Sequence, residues 1–209
     1  MPSLPMNPKP WIAFIVGVAL SGIVWGLVEA VSDPHPKLRH PAIIDSAYFA
    51  FALWAGSILV QLQTTRDDWR ACSGGFRVGR AAWVGGLVVF LTHLGLAFHL
   101  AHDWSQTRAY EHVEASSGFG SGLFVSYGFA MLWIVDGIGW CVAPSHYARR
   151  AAWIPAGLHV FMGFIIFNAT VVFGQSPLRW VAAGAFALLV GQLFKLWFVA
   201  RTPLGPDTP

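Results

Sequence analysis

Charge is scarce in this chain, and that excludes most soluble folds. Lys, Arg, Asp and Glu make up 11% of its 209 residues, against about 25% in soluble globular proteins. No polar stretch is long enough to fold as a separate soluble domain. The chain therefore reads as one transmembrane helical domain, residues 1–209, with short disordered Pro-rich ends, MPSLPMNPKP and TPLGPDTP. Cysteine is nearly missing. Cys72 and Cys141 form no CxxC pair, which excludes a zinc ribbon and a redox disulfide motif, and both read as reduced thiols of a bacterial cytoplasm. A phosphate loop is also missing: the glycine-rich SSGFGSGLF, 116–124, has no lysine and no preceding strand, and reads as a tight lead into a helix. No sequence repeat is present. The net charge of +3 and pI near 9.1 are spread through loops, which speaks for membrane topology and against a nucleic-acid partner.

Long apolar runs are abundant. Six are close to the ~20 residues that cross a bilayer: 11–29, 43–62, 81–102, 119–142, 151–173 and 180–200. They do not alternate as barrel strands do, and only helices or closed barrels satisfy their backbone in lipid. The expected fold is all-α, a polytopic bundle of six transmembrane helices. The first run exceeds the ~7–15 residues of a signal-peptide core and has no small-x-small cleavage site after it, so it reads as a mature helix. Gly17, Ser21, Gly22 and Gly26 include i, i+4 pairs suited to close helix contact.

Orientation follows from Lys and Arg. With the N-terminus inside, nine fall on the inner side (Lys9, Arg66, Arg70, Arg77, Arg80, Arg149, Arg150, Lys195, Arg201) and four on the outer side (Lys37, Arg39, Arg108, Arg179). Both termini are expected in the cytoplasm, in a bacterial inner membrane.

The densest chemistry lies in 92–112, THLGLAFHLAHDWSQTRAYEH, which holds four of the eight histidines. On a continuing helix His99 and His102 would be about 60° apart, on one face, with His93 turned well away. His112 follows in the outer loop. The other outer loop adds His35 and His40, and Asp45 opens the second span. His99, His102 and His112 are expected to hold copper, zinc or iron, facing the periplasm. Asp103, Glu111, His35, His40 and Asp45 are further ligands or groups that orient an imidazole. The lone HxxHD falls short of the several histidine boxes of membrane di-iron desaturases, which also face the cytoplasm.

Two further sites lie within the spans. His93 and His159, at similar expected depths, could ligate one haem b iron from opposite sides or hydrogen-bond to neighbouring helices. Asp136, in MLWIVDGIGW, is the least comfortable residue in lipid and reads as a proton-handling group or as a carboxyl bonded to a neighbouring helix. The functional expectation is a metal- or haem-binding membrane protein, redox-active at its outer face, with an electron-transfer partner. The alternatives are a non-catalytic subunit packed against other membrane subunits, or a small carrier or proton channel using Asp136 and His159.

Overall fold

The computed structural model describes residues 7–33, 35, 40–174 and 176–201, the side chains of 66 and 197–201 excepted. Lys37, Arg39, the Arg66 and Arg201 side chains and most of the two Pro-rich ends lie outside the described residues. Within them the protein is helical and contains no strand. The elements are α1 (Pro8–Ser32), α2 (Pro41–Gln63), α3 (Arg66–Arg70), α4 (Gly74–Leu100), α5 (Gln106–Ser117), α6 (Gly122–Val142), α7 (Pro144–Arg149), α8 (Trp153–Phe167), a π-helical turn (Asn168–Val172) and α9 (Leu178–Arg201).

Among the described residues six helices are long and apolar enough to cross a membrane: Pro8–Ser32, Pro41–Gln63, Gly74–Leu100, Gly122–Val142, Trp153–Val172 and Leu178–Leu196. Each contains or nearly matches one expected span. The helix ends are written in short polar signals. Asn7 accepts from the Lys9 N–H at 3.1 Å, ahead of Pro8. Thr65 and Asp68 form a reciprocal capping box on α3. Ser105 accepts from the Arg108 N–H at 3.3 Å to start α5, and Gly118, at φ 72°, ends it in the left-handed conformation that glycine adopts without strain. The outer loop expected after the third span is thus largely a helix.

The described chain divides into two compact units, Met1–Ile166 and Phe167–Pro209. In the second, the π-helical turn packs on α9, and Phe167 meets Phe186 edge-on at 5.2 Å. In the first, α1, α2 and α4 pack on one another, and α6 packs on α4. Ile15, Ala19, Ala50, Leu53, Val78, Ala82 and Val89 form the apolar centre of this group. Lipid tails are as apolar as these side chains, so packing and interhelical hydrogen bonds hold the helices together. Ser57 Oγ donates to the Gly79 carbonyl at 2.8 Å, and Trp25 Nε1 donates to Asp45 Oδ2 at 2.9 Å.

The small residues of α1 that matter differ from two of those expected. Gly17 faces open space and Ser21 is exposed, whereas Gly22 and Gly26 are buried in register with Ile15 and Ala19. A Cβ at Gly22 would lie 2.8 Å from Phe49 Cγ, and one at Gly26 would lie 3.0 Å from Leu96 Cδ1. The i, i+4, i+7, i+11 stripe selects this face. Gly22→Ala is therefore expected to destabilise by about 1–3 kcal/mol through overpacking. Gly17→Ala should be neutral or stabilising by up to about 1 kcal/mol, the helix-propensity gain. Thermal unfolding in detergent checks this; equal midpoint shifts for the two variants would refute the assigned face.

Candidate functional site

The histidines separate when the chain folds. His40 is fully buried, and both of its ring nitrogens are used: Nε2 donates to the Asp33 carbonyl at 2.7 Å, and Nδ1 accepts from the Ala42 N–H at 3.1 Å. It caps α2 and has no nitrogen left for a metal. His35 is exposed beside Asp33, 3.1 Å away. Asp45 is taken by Trp25, and Asp103 pairs with Arg108 at 3.2 Å on the surface. Glu111 is exposed on α5.

His99 and His102 do not share a helical face, because α4 ends at Leu100. Asp103 and Trp104 take left-handed φ values of 51° and 55°, and the Trp104 N–H turns back to the Phe98 carbonyl at 2.9 Å. His99 stays exposed beside Trp104, while His102 turns inward and is 9% exposed. α5 then brings the His112 ring to a centroid distance of 5.4 Å from that of His102. Burial lowers the pKa of the His102 imidazole from its ordinary 6.5, and the charge of His112 adds to the effect. Among the described residues no three His, Cys, Asp or Glu side chains are placed to hold one metal ion.

His93 and His159 are not brought together either. His93 lies nineteen residues into α4 and donates from Nδ1 to the Ile43 carbonyl at 2.9 Å, with Ser46 Oγ at 3.3 Å. His159 lies six residues into α8, with Nε2 3.2 Å from Gln61 Oε1. Ser46 and Gln61 are fifteen residues apart on α2, about 22 Å along the helix axis. Two imidazoles at those depths do not meet at one iron. The expectation of matching depth failed because α4 begins seven residues before the apolar run that marks it. Both histidines are interhelical cross-links.

Asp136 anchors the most developed polar site. Its Oδ2 accepts from the Tyr147 hydroxyl at 2.8 Å, and its Oδ1 pairs with Arg150 Nη1. The Asp136 and Arg150 side chains are only 8% and 15% exposed. The guanidinium also lies over the Tyr147 ring, 3.6 Å from its centroid. Its Nη2 is buried with no acceptor among the described residues. Tyr147 is held in turn by a stack: its ring is 4.8 Å from Trp140 and 5.9 Å from Trp69, nearly parallel to both. Trp140 is fully buried between these rings and those of Phe76 and Trp83. Trp83 meets His159 edge-on at 5.2 Å.

Beside the pair lies a cavity of ≈ 520 Å³. Leu132, Val135, Asp136 and Gly139 of α6, Tyr147 of α7, Arg150, and Trp153, Ile154, Gly157, Leu158 and Phe161 of α8 line it. An added Cβ at Gly157 would touch nothing within 4 Å. The wall is aliphatic and aromatic, and its charged groups neutralise each other. Such a pocket, within the ~300–1,000 Å³ of small-molecule sites, accepts an apolar body and a few directed hydrogen bonds. Sequence reading found Asp136 but took Arg150 only for a topology signal and passed over Tyr147. A carboxylate in a span demands a partner, and YARR after the Pro144 break supplies it.

No family model, curated protein or solved structure matches this chain.

Two outcomes follow from the ion pair and its tyrosine. Asp136→Ala or Arg150→Ala alone should destabilise by about 3–5 kcal/mol, because each strands a buried charge. The double variant Asp136→Leu, Arg150→Met should recover most of that loss. Additive losses in thermal unfolding would show that the charges do not act as a pair. Burial raises the Tyr147 phenol above its ordinary pKa of 10.0; the Asp136 carboxylate adds to this and Arg150 opposes it. The folded protein then keeps a proton that the unfolded chain has released. Stability from this group is complete below pH ~10 and falls by about 1.4 kcal/mol per pH unit above it. Tyr147→Phe should remove that alkaline component; identical pH profiles for the two proteins would contradict it.

Proposed function

We propose that this is an integral membrane protein that binds a neutral, apolar-bodied molecule drawn from the bilayer. The molecule's polar head lies at Asp136, Tyr147 and Arg150, and its body in the cavity of α6, α7 and α8. The single observation that carries the reading is the cavity itself: an apolar wall with one internally neutralised ion pair and one phenol at its edge. A neutral ion pair gives no net attraction for a full charge, so a head with a hydroxyl or carbonyl fits better than a phosphate or an ammonium. Because both Asp136 oxygens accept bonds from Tyr147 and Arg150, the carboxylate serves as an anchor here in preference to a proton relay.

The excess of Lys and Arg at the α3 and α7 ends supports a cytoplasmic location for that side, as in a bacterial inner membrane. Arg70 and Arg149 there line a second cavity of ≈ 380 Å³. Six crossings then return the C-terminus to the cytoplasmic side.

A photoactivatable monoacylglycerol tests the reading: it is neutral, with one acyl chain and a hydroxyl-bearing head. Saturable labelling of peptides from α6 and α8 is expected in the full-length protein. Gly157→Phe, which fills the cavity, should abolish it. Gly184→Phe, at a glycine of α9 that also faces open space, should leave it intact. Equal labelling in both variants, or no saturable labelling in wild type, would reject the pocket as a binding site.

A further inference from the structure

The His102 and His112 pair lies at the far end of α4 from the cavity and is independent of it. We propose that these two imidazoles chelate one borderline divalent transition-metal ion, zinc(II) or copper(II), with its remaining positions open to water or a small ligand.

Distance is the first support. An imidazole bound at about 2.0–2.1 Å has its ring centre about 3.2 Å from the ion, and a tetrahedral angle then sets two ring centres about 5.2 Å apart. The observed separation is 5.4 Å, with the ring planes inclined by 54°. Unsatisfied nitrogen is the second. His102 Nδ1 is buried and has no hydrogen-bond partner among the described residues. His112 makes no hydrogen bond among the described residues, and the two rings, although adjacent, do not bond to each other. A buried imidazole nitrogen without a partner, beside a second and half-buried imidazole, is the arrangement that an ion between them would satisfy. His40, by contrast, uses both of its nitrogens within the protein, and His93 uses Nδ1.

The framework around the pair is fixed from several sides. Phe98 meets the His102 ring edge-on at 5.8 Å, and Gln106 at the start of α5 accepts from the Tyr127 hydroxyl of α6. Gly120 N–H donates to the Glu114 carboxylate just beyond the end of α5. α5 is thus tied near both ends, which holds His112 at its distance from His102. No third His, Cys, Asp or Glu among the described residues joins the pair, so the protein supplies two ligands and leaves the other positions exchangeable. Imidazole nitrogen favours zinc and copper over magnesium or calcium.

The test uses full-length protein purified in detergent without an affinity tag, titrated separately with zinc chloride, copper sulfate and magnesium chloride. One zinc or copper ion per chain is expected, with no magnesium bound. His112→Ala and His102→Gln should each weaken binding at least tenfold, while His99→Ala leaves it unchanged. His112 is only half-buried on α5, so its variant keeps the fold, which circular dichroism verifies. Electron paramagnetic resonance of the copper form should show two coupled nitrogens in wild type and one in His112→Ala. Wild type that binds neither ion at one per chain, a His112→Ala variant of undiminished affinity, or a wild-type spectrum without two nitrogens would each overturn the site.

Discussion

The stack of Trp69, Trp140 and Tyr147 is the contact on which one end of this protein depends. It joins α3, α6 and α7 through three nearly parallel rings, and Phe76 and Trp83 of α4 close around the central indole. Aromatic pairs of this kind contribute about 0.5–1.5 kcal/mol each beyond the area they bury. Their larger effect is positional. α7 has only six residues and no core of its own. The stack fixes Tyr147, Tyr147 fixes the Asp136 carboxylate, and the carboxylate fixes Arg150.

An ion pair in such surroundings is not a source of stability in itself. Removing two charges from water costs several kcal/mol each, and their attraction repays this only when geometry and extra bonds are good. Here the extra bonds are the Tyr147 hydroxyl and the ring face beneath the guanidinium. The pair therefore specifies geometry. It fixes where α7 folds back onto α6 and holds open the space that α8 lines.

The helical spans were legible because apolar length is a one-dimensional property. Asp136 was legible for the same reason, since a carboxylate in an apolar run stands out. Its partner was not, because Arg150 is fourteen residues away and reaches it only through the Pro144 turn. His99 and His102 show the converse failure. HxxH implies one face only while the helix continues, and the consecutive left-handed residues Asp103 and Trp104 end that continuity. His40 shows another limit: a histidine that accepts from the N–H of the second residue of a helix is a cap, and nothing in the one-letter string separates a cap from a ligand. The pairing of His102 with His112 depended on α5 being a helix, which Ser105 and Gly118 at its two ends signal.

The two ends of α5 carry exposed aromatics, Trp104 on one side and Phe119 on the other. Of the two, tryptophan is a residue that membrane proteins place at the headgroup layer. α5 lies in the chain between the end of α4 and the start of α6, and its 12 residues make a rod about 18 Å long. A change of tilt in either helix must carry this rod with it or break a contact at one of its ends, Gln106 with Tyr127 or Glu114 with Gly120.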